Sequence, residues 1–149
     1  MEKSTFVYVT FIRTTPEKLW AALTQPEFTR QFFFDTVQEC EWKVGSPWKI
    51  VAPDGATIDS GEVLEVDPPK HLVLKWRNEY KPEAKAEGYS RMTYTLEAKG
   101  DMVKFTVLHE MDKGQSVFIQ QVSNGWPIIL SSLKTLLETG ESLEETRSW

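Results

Sequence analysis

The residues of this 149-residue chain best suited to chemistry near neutral pH are two histidines, His71 and His109, and one cysteine, Cys40. His109 is the more informative. It closes an alternating series, Val103, Phe105, Val107 and His109, whose apolar parity points inward. An imidazole at the mouth of an apolar cavity can hydrogen-bond a ligand or carry a proton. The competing reading is a histidine tied to backbone beside the next helix. His71 falls on the outward parity of its own segment and reads as a surface residue. Zinc ordinarily takes three or four ligands at close spacing, so these three residues do not define a metal site, and no cofactor is expected. Serines and threonines are plentiful, but no Gly-x-Ser-x-Gly nucleophile elbow and no glycine-rich phosphate loop occurs. Glu62 and Glu65 sit on opposite strand parities and do not form an obvious carboxylate pair.

The second signal is aromatic. Six Trp, four Tyr and eight Phe are a heavy load for this length. They fill a core or line a cavity. Trp76, Met92, Tyr94 and Phe105 fall on inward parities, and Val122 and Trp126 on the apolar stripe of a helix. With His109, these seven residues are the candidate ligand-binding set: mostly apolar, with Tyr94 and Trp126 as polar handles.

The element that positions them is Ser116–Gly140. Its apolar residues, from Ile119, Val122 and Trp126 to Leu136 and Leu137, recur at steps of three and four, the period of one helix face. Ser116 is the expected N-cap and Gly140 the expected left-handed C-cap. At ~1.5 Å per residue the helix would be roughly 35 Å long. Pro127 either kinks it as a gate, or the ordered helix begins late, with Asn124 or Gly125 capping it.

Thr5–Arg13 reads as a strand. Two short helices follow, one capped by Thr15 ahead of Pro16 and one restarting at Pro26. Thr36–Lys43, Pro47–Ala52, Thr57–Val66, His71–Arg77, Tyr89–Ala98 and Met102–Glu110 read as strands. The short turn sequences between them, such as Val44-Gly45-Ser46 and Lys99-Gly100-Asp101, require antiparallel pairing. Conflicting parities in Thr57–Val66 call for a bulge near Gly61. Lys81–Gly88 is expected as a solvated charged loop, and Glu141–Trp149 as a loosely held tail. The fold class is therefore α+β: a curved seven-stranded antiparallel sheet wrapped around a long C-terminal helix, in a single domain over 1–149.

The formal net charge of −5 disfavours phosphate backbones and acidic membranes. No window approaches the ~18 apolar residues of a membrane helix, no signal peptide is legible, and a lone cysteine does not indicate secretion. A cytoplasmic protein is expected, with neither nucleic acid nor membrane as a partner. Pro47–Ala52, carrying Trp48, is a candidate edge strand for pairing two copies, so the chain is expected to be a monomer or a homodimer.

The element order, with the phrases LWAALTQPE, GEVLEVDPPKHLVLKW and NGWPIILSSLKTLLETG, resembles the activator-of-heat-shock-protein-90-ATPase homologues. That family lies within the START-like, birch-pollen-allergen-like superfamily of helix-grip folds, and the resemblance runs from Phe6 to about Thr139. It implies the fold and a cavity between sheet and long helix. It carries no catalytic residue onto this sequence. The leading expectation is binding of a small hydrophobic or aromatic ligand. A protein-interaction module related to the chaperone's partners is the alternative, and a cavity enzyme using His109 a third.

Overall fold

A computed structural model describes residues 2–149. β1 (Ser4–Ile12) is followed by α1 (Pro16–Thr24) and α2 (Pro26–Phe32), then β2 (Val37–Cys40), β3 (Pro47–Val51), β4 (Thr57–Asp67) and β5 (His71–Asn78). A short helix α3 (Pro82–Ala86) precedes β6 (Ser90–Lys99), β7 (Met102–Met111) and the long helix α4 (Val117–Thr139); a single 3-10 turn, Glu144–Thr146, follows. The strands form one antiparallel sheet in the order β1-β7-β6-β5-β4-β3-β2. It is the expected helix-grip arrangement.

Local chemistry sets the helix ends. Thr15 caps α1 by accepting from the Lys18 amide at 3.2 Å, and Pro16 and Pro26 open their helices where a missing N–H costs nothing. Ser116 Oγ accepts from the Ile119 amide at 3.1 Å, and Gly140 closes α4 at φ +89°. α4 runs unbroken through Pro127, so it starts at its serine cap and not near the proline. A second cap comes from outside the helix. The Glu87 carboxylate accepts from Ser116 Oγ and from the Val117 and Phe118 amides at 2.6–3.1 Å. Burial alone would raise its pKa, but these bonds outweigh burial and hold it below the usual range.

The inward parities pack as the alternation requires. Leu72, Leu74, Met92, Leu96, Val103, Phe105 and Val107 are buried with Leu130 and Leu133 of α4. Each such side chain contributes about 1.5–3 kcal/mol relative to exposure.

Several expectations are corrected. The irregularity in β4 falls between Val63 and Glu65, not at Gly61. It returns Glu62 and Glu65 to one outer face, where they meet Lys75 and Arg91. Gly61 serves another purpose: a Cβ there would lie 1.6 Å from the Lys75 carbonyl oxygen. β2 stops at Cys40 because Trp42 turns left-handed at φ +57°. The edge strands are β1 and β2; Trp48 of β3 is fully buried and donates to Gln38 Oε1 at 2.8 Å. Lys81–Gly88 is not a plain solvated loop, because α3 forms within it and buries Ala84. The tail is packed: Thr146 is buried, shares a 2.6 Å hydrogen bond with Ser132, and offers its carbonyl to the Phe34 amide. The Thr146 hydroxyl also reaches the Gln31 and Leu143 carbonyls, and Ser142 Oγ accepts from Arg147 Nε.

Candidate functional site

His109 Cα pairs across the sheet with Met92 and Phe6, which places the imidazole under α4 with no exposed surface. Both ring nitrogens are used. Trp126 Nε1 lies 3.1 Å from Nδ1, and Ser90 Oγ lies 2.8 Å from Nε2. An indole N–H can only donate, so Nδ1 carries the lone pair and Nε2 the proton. The Nε2–H donates to Ser90 Oγ, and the Ser90 hydroxyl donates to the Trp76 carbonyl at 2.8 Å. The chain is closed at both ends. Burial pushes the His109 pKa down to about 3, so the ring is neutral across the physiological range. This is a histidine satisfied within the core, and acid–base work would first have to break the chain.

Beside this core lies a cleft of about 350 Å³ between sheet and helix. One wall is α4, with Phe118, Gln121, Val122, Gly125, Trp126 and Ile129. Trp76 and Asn78 of β5 and Asp59 of β4 form the sheet side, Phe33 and Phe34 close one end, and Lys81 and Trp149 complete the boundary. The chain leaves α2 through two left-handed residues, Phe34 at φ +55° and Asp35 at φ +56°, as it rounds that end. At Gly125 a Cβ would meet nothing within 4 Å, so its side of the helix faces open space.

Two polar groups stand among these apolar walls. Asp59 is 7% exposed. Burial raises its pKa from 3.8 to about 6; Trp76 and Asn78 pull it partly back, and the Glu79 charge adds to the rise. Its Oδ1 accepts from Asn78 Nδ2 at 3.1 Å. The Asn78 amide is oriented by its own Oδ1, which accepts from the Tyr80 and Lys81 backbone amides. The Trp76 indole N–H, buried and near the Asp59 carboxyl, makes no hydrogen bond of acceptable geometry. It is the one fully buried side-chain polar atom among the described residues left so. Arg77 and Lys85 are both paired with Glu79.

Of the seven residues expected to bind a ligand, Trp76, Val122 and Trp126 line the cleft. Met92, Tyr94, Phe105 and His109 lie in the packed layer beneath it. Trp126 offers the cleft its ring and not its N–H, which His109 takes. Sequence reasoning missed Asp59, Asn78, Phe33, Phe34, Phe118 and Trp149. For Asp59 a signal existed: an acidic residue shares the odd parity of Gly61 and Val63, the inward side before the bulge. Among the described residues no group of three or more His, Cys, Asp or Glu is arranged to hold a metal ion, and no helix is long and apolar enough to cross a membrane.

A curved antiparallel sheet gripping one long helix, with a cleft along their junction, defines the helix-grip class. Within it, the sequence profile described as "Activator of Hsp90 ATPase homolog 1-like protein" matches residues 13–138, and the chain belongs to that family. No curated protein matches the sequence. A Mesorhizobium loti protein of known structure is 28% identical, with TM-score 0.76 over 91% of this chain and 97% of that one. The Aha1 dimer of Colwellia psychrerythraea is 19% identical, with TM-score 0.74 over 93% and 99%. An HSP90 activator from Plasmodium falciparum is 21% identical, with TM-score 0.72 over 90% and 96%. The last two likenesses concern the fold.

Proposed function

We propose that the protein binds a small, mostly apolar ligand in the cleft between α4 and the sheet. The observation that carries this reading is the aromatic wall: Phe33, Phe34, Trp76, Phe118, Trp126 and Trp149 around about 350 Å³. That size and composition suit a small-molecule site. Native mass spectrometry of gently purified protein tests it, with Gly125→Leu alongside. Leucine is a good helix former and would project into the open space. An adduct carried by the wild type and lost from the variant supports the reading. No adduct on either, or equal adducts on both, counts against it.

A second reading is favoured by a different surface. On the edge strand β1, Val7, Val9 and Phe11 are 56%, 47% and 45% exposed in one outward row. Such a strip suits a protein partner, and one structural relative is an HSP90 activator. This reading assigns the strip to a chaperone of the heat shock protein 90 class. Val9→Lys should then abolish association in a titration with the purified chaperone, while Gly125→Leu leaves it intact. Absence of wild-type association removes this reading.

A further inference from the structure

Asp59 has no structural task equal to its cost. A carboxylate removed from water is expensive unless it is paired, and burial here opposes its ionisation. Its one hydrogen bond, from Asn78, would serve an asparagine at the same position as well. No ion pair reaches it among the described residues, and Lys81 at the cleft boundary makes none with it. Asn78 engages only Oδ1, so Oδ2 has no hydrogen-bond partner among the described residues. Next to it the Trp76 N–H, on a side chain 4% exposed, leans on the same carboxyl and lowers its pKa without reaching hydrogen-bond geometry. The cleft therefore presents a carboxylate with no cation, beside an indole N–H that leans on it short of a hydrogen bond, enclosed by aromatic rings.

The chemistry complementary to that pair is specific. An anion asks for a cation or a strong donor, and aromatic faces add to the attraction of a cation. A ligand carboxylate or phosphate would meet repulsion from Asp59. An indole N–H asks for a neutral acceptor on a neighbouring ligand atom. Resting on the reading of the cleft as a ligand site, we infer that its ligand is a small aromatic or apolar molecule bearing a protonated amine, whose ammonium pairs with Asp59. A hydroxyl or carbonyl beside the amine would accept from Trp76.

Three probes sharing one body separate the possibilities: 2-phenylethylamine, 2-phenylethanol and 3-phenylpropionate. Binding is followed at pH 7.5 by calorimetry and by the indole N–H resonance of Trp76. The amine should bind at least 10-fold more tightly than the alcohol, and the propionate least of all. Asp59→Asn, which keeps the shape and the Asn78 contact, should bring amine and alcohol within about twofold. Gly125→Leu should weaken all three. Equal binding of amine and alcohol to the wild type overturns the amine assignment and leaves the apolar cleft standing. So does an amine preference that survives Asp59→Asn. Failure of all three probes to bind, with the Trp76 resonance unmoved, overturns both.

Discussion

The Trp126 indole donates to His109 Nδ1 at 3.1 Å, joining the long helix to β7 of the sheet through a buried neutral hydrogen bond. The bond fixes the tautomer of the imidazole and spends the only polar atom of Trp126. It explains how a histidine on an inward parity is satisfied within the core.

His109→Phe tests that relationship. An aromatic ring is kept, somewhat larger than imidazole, but the Trp126 N–H loses its acceptor, while Ser90 still reaches the Trp76 carbonyl. An orphaned buried donor costs about 1–3 kcal/mol, and the lost bond from Nε2 adds about 1 kcal/mol. Urea unfolding should show a loss of about 2–4 kcal/mol. An unchanged midpoint would contradict the closed chain.

The pH dependence of stability should show two opposed titrations. Folded Asp59 keeps its proton up to about pH 6, against 3.8 for an ordinary carboxyl, so the folded state holds the extra proton between these values. This contribution falls as pH rises through that window. His109 acts the other way. Its folded pKa of about 3 lies below the ordinary 6.5, so its contribution is complete above 6.5 and is lost as pH falls. The groups around Asp59 are Glu79, the Asn78 amide and the Trp76 indole, with Lys81 at the boundary. Asp59→Asn removes one of the two opposing slopes. Its stability should fall between pH 6 and 4 more steeply than the wild type's, by about 1.4 kcal/mol per pH unit. At pH 7 the variant should be the more stable protein. Parallel curves for the two proteins would refute the buried titration.

The cap supplied by Glu87 makes a third test. Glu87→Ala leaves the Val117 and Phe118 amides without their acceptor and should cost about 1–2 kcal/mol. Glu87→Gln should cost less. Since the folded pKa is depressed, the charge contribution is complete above the ordinary value of 4.5 and is lost as pH falls below it. Hydrogen exchange at residues 117–118 should accelerate in both variants, and unchanged protection would argue against the cap.

Two glycines should respond in opposite directions to alanine. Gly61→Ala drives a methyl into the Lys75 carbonyl, so soluble expression or the thermal midpoint should drop sharply, by more than the ~1–3 kcal/mol of ordinary overpacking. Gly125→Ala meets no atom and removes a flexible residue from a helix interior. It should raise stability by about 0.5–1 kcal/mol.

Periodicity made the frame legible. Ser116 and Gly140 bounded α4, and the alternations Leu72–Trp76, Met92–Leu96 and Val103–His109 chose the buried face, because sheet and helix each bury one regular stripe. The cleft was harder to read, because its members come from ends and irregularities. Phe33 and Phe34 follow α2 where the chain turns left-handed, Trp149 lies beyond the helix, and Asp59 precedes a bulge whose position cannot be read from alternation. Parity also does not distinguish depth. Met92 and Trp76 share the inward face, yet one is sealed in the core and the other opens onto the cleft. In the tail a polar composition does not mean solvent, because Thr146 spends its polarity on Ser132 and on the Phe34 amide.

The closed chain from Trp126 through His109 and Ser90 to the Trp76 carbonyl bears on how such a molecule diversifies. Apart from Trp76 and Trp126, which belong to both, that chain asks nothing of the walls of the cleft. Side chains such as Phe34, Val122 and Ile129 can then be exchanged over generations without reopening the scaffold, and a descendant can change its lining while inheriting its architecture. A neighbour that keeps the fold at 28% identity is what such a separation between frame and lining allows.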